Sequence, residues 1–363
     1  MELKPEKVEK YLKSAIGQGI TLRRMAALGE GADDRAQKKC GYGTPIRVEY
    51  ESAAGGAGSA VLHTMGPSHF GHEHMSDRAQ ILLWQRDTFN RLPRHIRAID
   101  AGTIQTDGTP ASLGAPEEFF LLTEYAEGLG YFLDLERLAK TGVPTEPDVA
   151  RADALCDYLV EIHRVPGLDG ELYVRRIREL VGHGECIMGI ADSFAATAFH
   201  PVNELRHIEH LCVDWRWRLK GRKHRLRQVH GDFHPWNILF GQGADFTVLD
   251  RSRGEFGDPA DDVACLSMNY VFFSLERSGK LEGAFETLFL RFWERYMEKS
   301  SDREILQVVA PFFVFRALVM ANPVWYPNLA ETIRRQLLAF SLAVLSQDSF
   351  DPRLVNHYCG IKS

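Results

Sequence analysis

The sequence predicts an α+β fold with a mainly β N-terminal part and a mainly α-helical C-terminal part. Up to about residue 123, short apolar runs alternate with glycine-rich connections, which is typical of strands joined by turns. After Tyr131, apolar residues recur at helical spacing, which indicates amphipathic helices packed on a core. With 363 residues and 45% hydrophobic residues, the chain is long enough for one large or two smaller domains.

The N-terminal part is predicted to form a sheet accompanied by two helices. The helices are expected at residues 4–16 and 79–89. The strands are expected at residues 20–28, 46–50, 60–65, 96–100 and 119–123. Residues 29–43 are rich in Gly, Asp, Lys and Gln, so we expect a loop between the first two strands.

The C-terminal part is predicted to contain seven helices in two groups. They are expected at residues 149–162, 171–194, 202–219, 260–273, 281–297, 303–320 and 330–345. An aromatic stripe, formed by Phe285, Phe289, Phe292 and Trp293, is predicted to belong to the core.

Composition argues against several classes of protein. The formal net charge of −6 does not favour nucleic acid or an anionic membrane as the main partner. The charged start does not resemble a signal peptide, and the longest apolar run, residues 308–321, is interrupted by Arg316. The six cysteines form no Cys-x-x-Cys pair, so we expect reduced thiols and a cytoplasmic location.

One polar stretch, residues 230–237, lies between short apolar runs that are typical of strands. It reads His-Gly-Asp-Phe-His-Pro-Trp-Asn, and a further apolar run leads to Asp250. Phosphoryl transfer needs a carboxylate that orients the attacking hydroxyl, and oxygen ligands that hold Mg²⁺ against the phosphates. Asp232, Asn237 and Asp250 are residues of the types that this chemistry requires.

This pattern, followed by Gly-Asp-Pro-Ala-Asp-Asp-Val-Ala at residues 257–264, resembles the aminoglycoside phosphotransferase/choline kinase family. That family has a two-lobed protein-kinase-like fold. The resemblance implies an N-terminal nucleotide-binding lobe at residues 1–123 and a hinge at 124–128. Residues 129–363 would then form the catalytic and acceptor-binding lobe.

The resemblance also implies roles for individual residues. Asp232 is expected to be the catalytic base, and Asn237 and Asp250 are expected to bind Mg²⁺. His230 is expected to be a structural histidine that braces the loop, and Asp262 a buried acid that steadies it from the following helix. Mg²⁺ and ATP, as co-substrate, are the implied cofactors.

The expected nucleotide contacts depart from the family pattern at one position. The loop at residues 29–43 would cover the phosphates, since glycines let a backbone approach them closely. In the family, a lysine lies on the strand that follows the first hairpin, and the matching position here is His63. Three alternatives remain: protonated His63 contacts the phosphates, Lys38 or Lys39 does so, or nucleotide binding is impaired.

Two further pairs of residues are candidates for binding. In the hinge, the carbonyl group of Glu124 and the amide of Ala126 are expected to bind adenine. Arg251 and Arg253 follow Asp250, and they would either contact phosphate or an anionic acceptor, or pair with nearby acids.

The predicted function is transfer of the γ-phosphoryl group from ATP to a hydroxyl of a small molecule, as in aminoglycoside, choline or homoserine kinases. The alternative is a catalytically weak or inactive binding or regulatory protein on the same scaffold, which the histidine at position 63 favours. The sequence contains no pattern that identifies the acceptor or the oligomeric state.

Overall fold

The computed structural model describes residues 3–27, 45–53, 55–91, 95–119, 121 and 123–361. The chain divides into two compact units, Met1–Thr123 and Glu124–Ser363. The loop expected at residues 29–43, with Lys38 and Lys39, lies outside the described residues.

The N-terminal unit is built on a small antiparallel sheet. Its elements are α1 (Pro5–Ala15), β1 (Ile20–Ala27), β2 (Ile46–Ser52), β3 (Ala57–Leu62), α2 (Met75–Phe89), β4 (Gly102–Ile104) and β5 (Pro110–Ser112). Strands β1, β2 and β3 form one sheet in that order, and β4 pairs with β5. Val8 and Leu12 of α1 are buried against Ile20 and Val48, because the apolar face of this helix covers one face of the sheet.

The two last predicted strands of this unit are wrong. Residues 96–100 form no strand, nor do residues 119, 121 and 123, whereas 120 and 122 lie outside the described residues. Ile96 and Leu121 are exposed, so these segments lack the burial that their apolar residues suggested. The hairpin forms instead at β4 and β5, where Gly108 has a positive φ of 82° in the turn and the amide of Thr109 donates to Asp107.

The C-terminal unit is mainly helical. Its strands are β6 (Leu129–Gly130), β7 (Arg227–Gln228), β8 (Ile238–Phe240), β9 (Phe246–Val248) and β10 (Phe256–Gly257). Its helices are α3 (Tyr131–Thr141), α4 (Glu146–Ile162), α5 (Gly170–Gly182), α6 (Ile187–Ser193), α7 (Val202–Leu219), α8 (Ala260–Ser278), α9 (Gly283–Ser300), α10 (Ala310–Ala321), α11 (Glu331–Leu345) and α12 (Val355–Tyr358). Antiparallel sheets β6-β8-β9 and β10-β7 flank the polar stretch at 230–237.

Helix α8 is the centre of this unit, since it is buried along most of its length. Its Tyr270 hydroxyl lies 3.0 Å from that of Tyr131 on α3, and this contact satisfies both polar groups in the interior. The aromatic stripe of α9 is buried, with Trp293 fully inaccessible, so the prediction that it belongs to the core is confirmed.

Two long predicted helices are each divided. Residues 171–194 form α5 and α6, and a Cβ at Gly189 would lie 1.9 Å from the carbonyl oxygen of Gly184, so the connection packs tightly on α6. Residues 303–320 form a 3₁₀ turn followed by α10, whose second residue is Pro311. The predicted α+β class, with an antiparallel N-terminal sheet and a helical C-terminal unit, is confirmed. Across the described ranges, no helix combines the length and the apolar character needed to cross a membrane.

Candidate active site

The polar stretch is a loop between β7 and β8 that the adjoining strands hold in place. Gly231 has a positive φ of 88°, which L side chains adopt only with strain. A Cβ there would also lie 3.2 Å from the Cβ of Arg253. The turn therefore requires glycine for two reasons, which are its backbone conformation and the close approach of the next loop.

Asp262, in the first turn of α8, binds the backbone of this loop. Its carboxylate accepts the backbone amides of His230 and Gly231 at 2.8 and 2.7 Å, and it lies 3.1 Å from Nε2 of His163. Burial raises the pKa of Asp262, but His163 and the two amides outweigh burial and hold it below its usual value. His230 is buried, and its Nδ1 accepts the amide of Asp232 at 3.3 Å. The side chains of both residues thus contact backbone amides of the loop.

Asp232 is half-buried, and its carboxylate is held from one side. Arg316 on α10 donates from Nη1 to Oδ1, whereas the nearest base to Oδ2 is Nε2 of His234 at 3.6 Å. Burial raises the pKa of Asp232, but the charges of Arg316, Arg253 and His234 outweigh it and lower the pKa overall. The carboxylate is therefore ionised at neutral pH, and one of its oxygens is available to a substrate.

Arg316 is a site residue that the sequence analysis did not recognise. Besides Asp232, its Nη2 donates to Asp261 at 2.8 Å and to the carbonyl oxygen of Gly231 at 3.1 Å. Burial, with the charge of Asp262, raises the pKa of Asp261, and Arg316 offsets this rise only in part. The sequence contained one indication of this role, since a single arginine interrupts an apolar run. A buried charge needs a partner, so an arginine at such a position indicates an ion pair in the interior.

Asn237 and Asp250 are brought together by the β8–β9 hairpin. The amide of Leu249 donates to the carbonyl oxygen of Asn237 at 2.8 Å, so Asp250 directly follows the strand end beside Asn237. The Nδ2 group of Asn237 donates to the carbonyl oxygen of Asp232 at 3.1 Å, which leaves its Oδ1 without a partner among the described residues.

The donor set beside Asp232 fits Mg²⁺. Asp250 is exposed and has a φ of 54°, unusual for a residue other than glycine, and this conformation points to a functional constraint. Among the described residues, its Oδ1 accepts a hydrogen bond only from the amide of Ser252, at 3.1 Å. One carboxylate and one amide oxygen, completed by phosphate and water, are ligands that suit Mg²⁺. No group of three or more His, Cys, Asp or Glu residues suited to a metal occurs in the described part of the chain.

Arg251 and Arg253 behave differently. Arg251 donates to the carbonyl oxygens of Val229 and Glu255, at 2.9 Å and 3.1 Å from Nη2, so it connects two backbone segments. It forms no ion pair with a described acid. The guanidinium of Arg253 lies over the ring of Phe315, 4.6 Å from its centroid. Of these two arginines, Arg253 is the one whose guanidinium makes no hydrogen bond with a described residue, so it remains available for an anion.

The residues expected to contact the nucleotide belong to both units. His63 directly follows β3 in the N-terminal unit and is exposed. In the C-terminal unit, Glu124 is exposed and Ala126 is half-buried. Among the described residues, neither the carbonyl of Glu124 nor the amide of Ala126 makes a backbone hydrogen bond, so both groups are available.

Replacing Gly231 by Ala is expected to lower the free energy of unfolding by about 2 kcal/mol, because positive φ and crowding against Arg253 both penalise a Cβ. Gly279→Ala is the matched control, because its φ is 75° and no atom lies within 4 Å of its Cβ position. We expect a loss of about 1 kcal/mol there. Urea denaturation measures both, and equal losses would show that Arg253 does not constrain the loop.

Comparison with known sequences identifies the family. The sequence model of the phosphotransferase enzyme family (APH) matches residues 112–298, just over half of the chain. This span includes Asp232, Asn237, Asp250 and Asp262, but not Arg316. The chain belongs to the phosphotransferase enzyme family, which confirms the resemblance expected from the motif.

Solved structures similar to this chain include three kinases. Aminoglycoside phosphotransferase APH(2'')-Ib with ADP is 13% identical, with 94% of this chain and 99% of that chain covered and a TM-score of 0.34. The amicoumacin kinase hAmiN is 13% identical, with coverages of 93% and 92% and a TM-score of 0.41. Ethanolamine kinase from Plasmodium vivax is 10% identical, with coverages of 93% and 80% and a TM-score of 0.34. No curated protein sequence matches significantly.

Proposed function

We propose that this protein transfers the γ-phosphoryl group of ATP to a hydroxyl group of a small molecule. The observation that carries the proposal is the placement of Asp232, Asn237 and Asp250 around one loop. Membership of the phosphotransferase enzyme family supports the same reaction class. An ionised carboxylate next to hard oxygen ligands is what phosphoryl transfer requires.

In this proposal Asp232 orients the acceptor hydroxyl through the oxygen that Arg316 does not hold. The hydroxyl oxygen forms a bond to the γ-phosphorus while the bond from that phosphorus to the β–γ bridging oxygen breaks. The electron pair of that bond leaves with ADP, and the hydroxyl proton passes to Asp232. Because its lowered pKa makes Asp232 a weak base, we assign it mainly to positioning, with proton transfer late in the reaction.

Asn237 and Asp250 are the proposed ligands of Mg²⁺, which when bound neutralises charge on the phosphates. His230 and Asp262 are proposed to keep the loop backbone fixed, because their hydrogen bonds hold its amides. Glu124 and Ala126 are proposed to bind adenine through the backbone, and His63 to contact phosphate. We propose residues 1–123 as the nucleotide-binding lobe and residues 129–363 as the catalytic lobe.

The first test is thermal stability with ATP, with and without Mg²⁺. A ligand that binds only the folded state stabilises it, by about 2.7 kcal/mol at a hundred times its Kd. We expect a Mg²⁺-dependent rise in the Tm of the wild type that Asp250→Ala abolishes. Asp245→Ala is the control, since Asp245 is an exposed acid in the adjoining β8–β9 turn.

The outcomes separate the two functions. A rise that survives in Asp245→Ala and disappears in Asp250→Ala supports the phosphotransferase. Absence of any rise at millimolar ATP would instead favour the binding or regulatory protein, with the histidine at position 63 as the reason.

A further inference from the structure

We propose that the acceptor carries an oxyanion, a carboxylate or a phosphate, near its reacting hydroxyl, and that Arg253 binds this oxyanion. The inference rests on the proposed phosphotransferase function and specifies its substrate class. It follows from the position of Arg253, from its lack of a partner and from the charges that surround it.

Arg253 lies next to the catalytic loop. Its Cβ would be 3.2 Å from a Cβ at Gly231, the residue that precedes Asp232. Its guanidinium and that of Arg316 lie over the same ring, that of Phe315, at 4.6 and 4.4 Å from the centroid. Because Arg316 binds the carboxylate of Asp232, the guanidinium of Arg253 is close to the proposed catalytic residue.

Arg253 differs from Arg316 in that no acid forms a direct ion pair with it among the described residues, although its charge acts on Asp232 and Asp261 at longer range. Arg316 donates to Asp232 and Asp261. Within the described residues Arg253 makes no hydrogen bond and no ion pair, although it is half-buried. A partly desolvated guanidinium without a partner is an effective binder of carboxylate or phosphate, because its planar N–H groups match both.

A second arginine approaches the loop that carries Arg253. Arg176 of α5 would lie 3.8 Å from a Cβ at Gly254, and it shares Glu179 with Arg175. Burial raises the pKa of the Cys186 thiol to about 11, although the charges of Arg253, Arg316 and Arg176 act in the opposite direction. The guanidinium of Arg176 therefore lies beside the loop that carries Arg253.

The position favours the acceptor over the nucleotide. Asp232 contacts Asn237, a proposed metal ligand, through its backbone carbonyl, and contacts Arg316 through its carboxylate. The proposed metal ligand Asn237 therefore contacts the backbone of Asp232, whereas Arg316 contacts its carboxylate. Since the hydroxyl must approach the carboxylate, the arginine side is where the rest of the acceptor would lie.

The experiment measures ADP release from Mg·ATP with alcohols that differ in charge. The three sets are 4-hydroxybutyrate with its amide and 4-aminobutan-1-ol, gluconate with glucose and glucosamine, and glycerol 3-phosphate with glycerol. We expect the oxyanion member of a set to be preferred in kcat/KM, with the first and third sets distinguishing carboxylate from phosphate. Arg253→Gln should lower its kcat/KM about 10- to 100-fold, and Arg253→Lys should recover part of the loss.

The KM for ATP should be unchanged in Arg253→Gln, and the exposed Arg164→Gln should behave as the wild type. Preference for a neutral or cationic member overturns the oxyanion proposal, as does phosphorylation of no member while Mg·ATP still raises the Tm. An increase confined to the KM for ATP would assign Arg253 to the nucleotide and overturn the proposal equally. Failure to bind Mg·ATP would refute the phosphotransferase function itself.

Discussion

Asp232→Asn is expected to lower kcat about 10²- to 10⁴-fold, because it removes both the positioning of the hydroxyl and the acceptor of its proton. The amide oxygen of Asn retains an acceptor for Arg316, so the loop should keep its conformation. The Asn side chain cannot take the hydroxyl proton, and it orients the hydroxyl more weakly than a charged carboxylate does. Steady-state ADP release with a true acceptor measures the loss, and Mg·ATP should still raise the Tm.

Asp261→Asn is the matched control for this variant. Asp261 also binds Arg316, at 2.8 Å, but it is half-buried in α8 and has no proposed contact with substrate. We expect less than a tenfold change in kcat. Wild-type turnover in Asp232→Asn, or equal losses in both variants, would remove Asp232 from the proposed role.

Arg316→Met is expected to lower the free energy of unfolding by about 3–5 kcal/mol at pH 7, the cost of removing one partner from a buried ion pair. Asp232 and Asp261 would lose their shared cation, and burial would then favour their protonated forms. The positioning of Asp232 would be lost as well, so kcat should fall. Urea denaturation at several pH values measures the stability change.

The pH dependence of that change has a defined sign. In the wild type the lowered pKa of Asp232 stabilises the folded state above the unfolded pKa of about 4, and this contribution disappears as the pH falls through the folded value. The raised pKa of Asp261 acts in the opposite direction, because its ionisation above about pH 4 destabilises the folded state.

Without Arg316 both pKa values should be raised, so the destabilisation should be largest at pH 7 and smaller below about pH 4. Arg316→Lys keeps the charge but loses the planar fork, and we expect it to recover part of the stability. A loss that does not depend on pH would point to packing in α10 instead of the ion pairs.

The sequence predicted the part of the site that is local in the chain. Asp232 and Asn237 are five residues apart on one loop, and Asp250 follows the next hairpin. Short-range turns and strand pairing fix such residues, so their types and spacing were enough to find them. Helices with a strong apolar stripe, such as α9, were predictable for the same reason.

Predictions failed where burial was decided by distant partners. Residues 96–100 are apolar enough for a strand, but Ile96 and Ile99 are exposed, and pairing occurs at β4 and β5 instead. Residues 171–194 have helical periodicity throughout, yet the chain turns between α5 and α6. Periodicity reports which face of a segment is apolar, and it does not report where packing interrupts the segment.

The sequence by itself therefore determined the fold class and the family, and it predicted the candidate residues of the loop at 230–237. Only the tertiary structure decided which charges surround that loop. Arg316 binds Asp232 from 84 positions further along the chain, whereas Arg253, only three residues after Asp250, forms no ion pair with any described acid. The physical reason is that the pairing of a buried charge depends on which helices pack together, and this packing brings together residues that no local pattern connects.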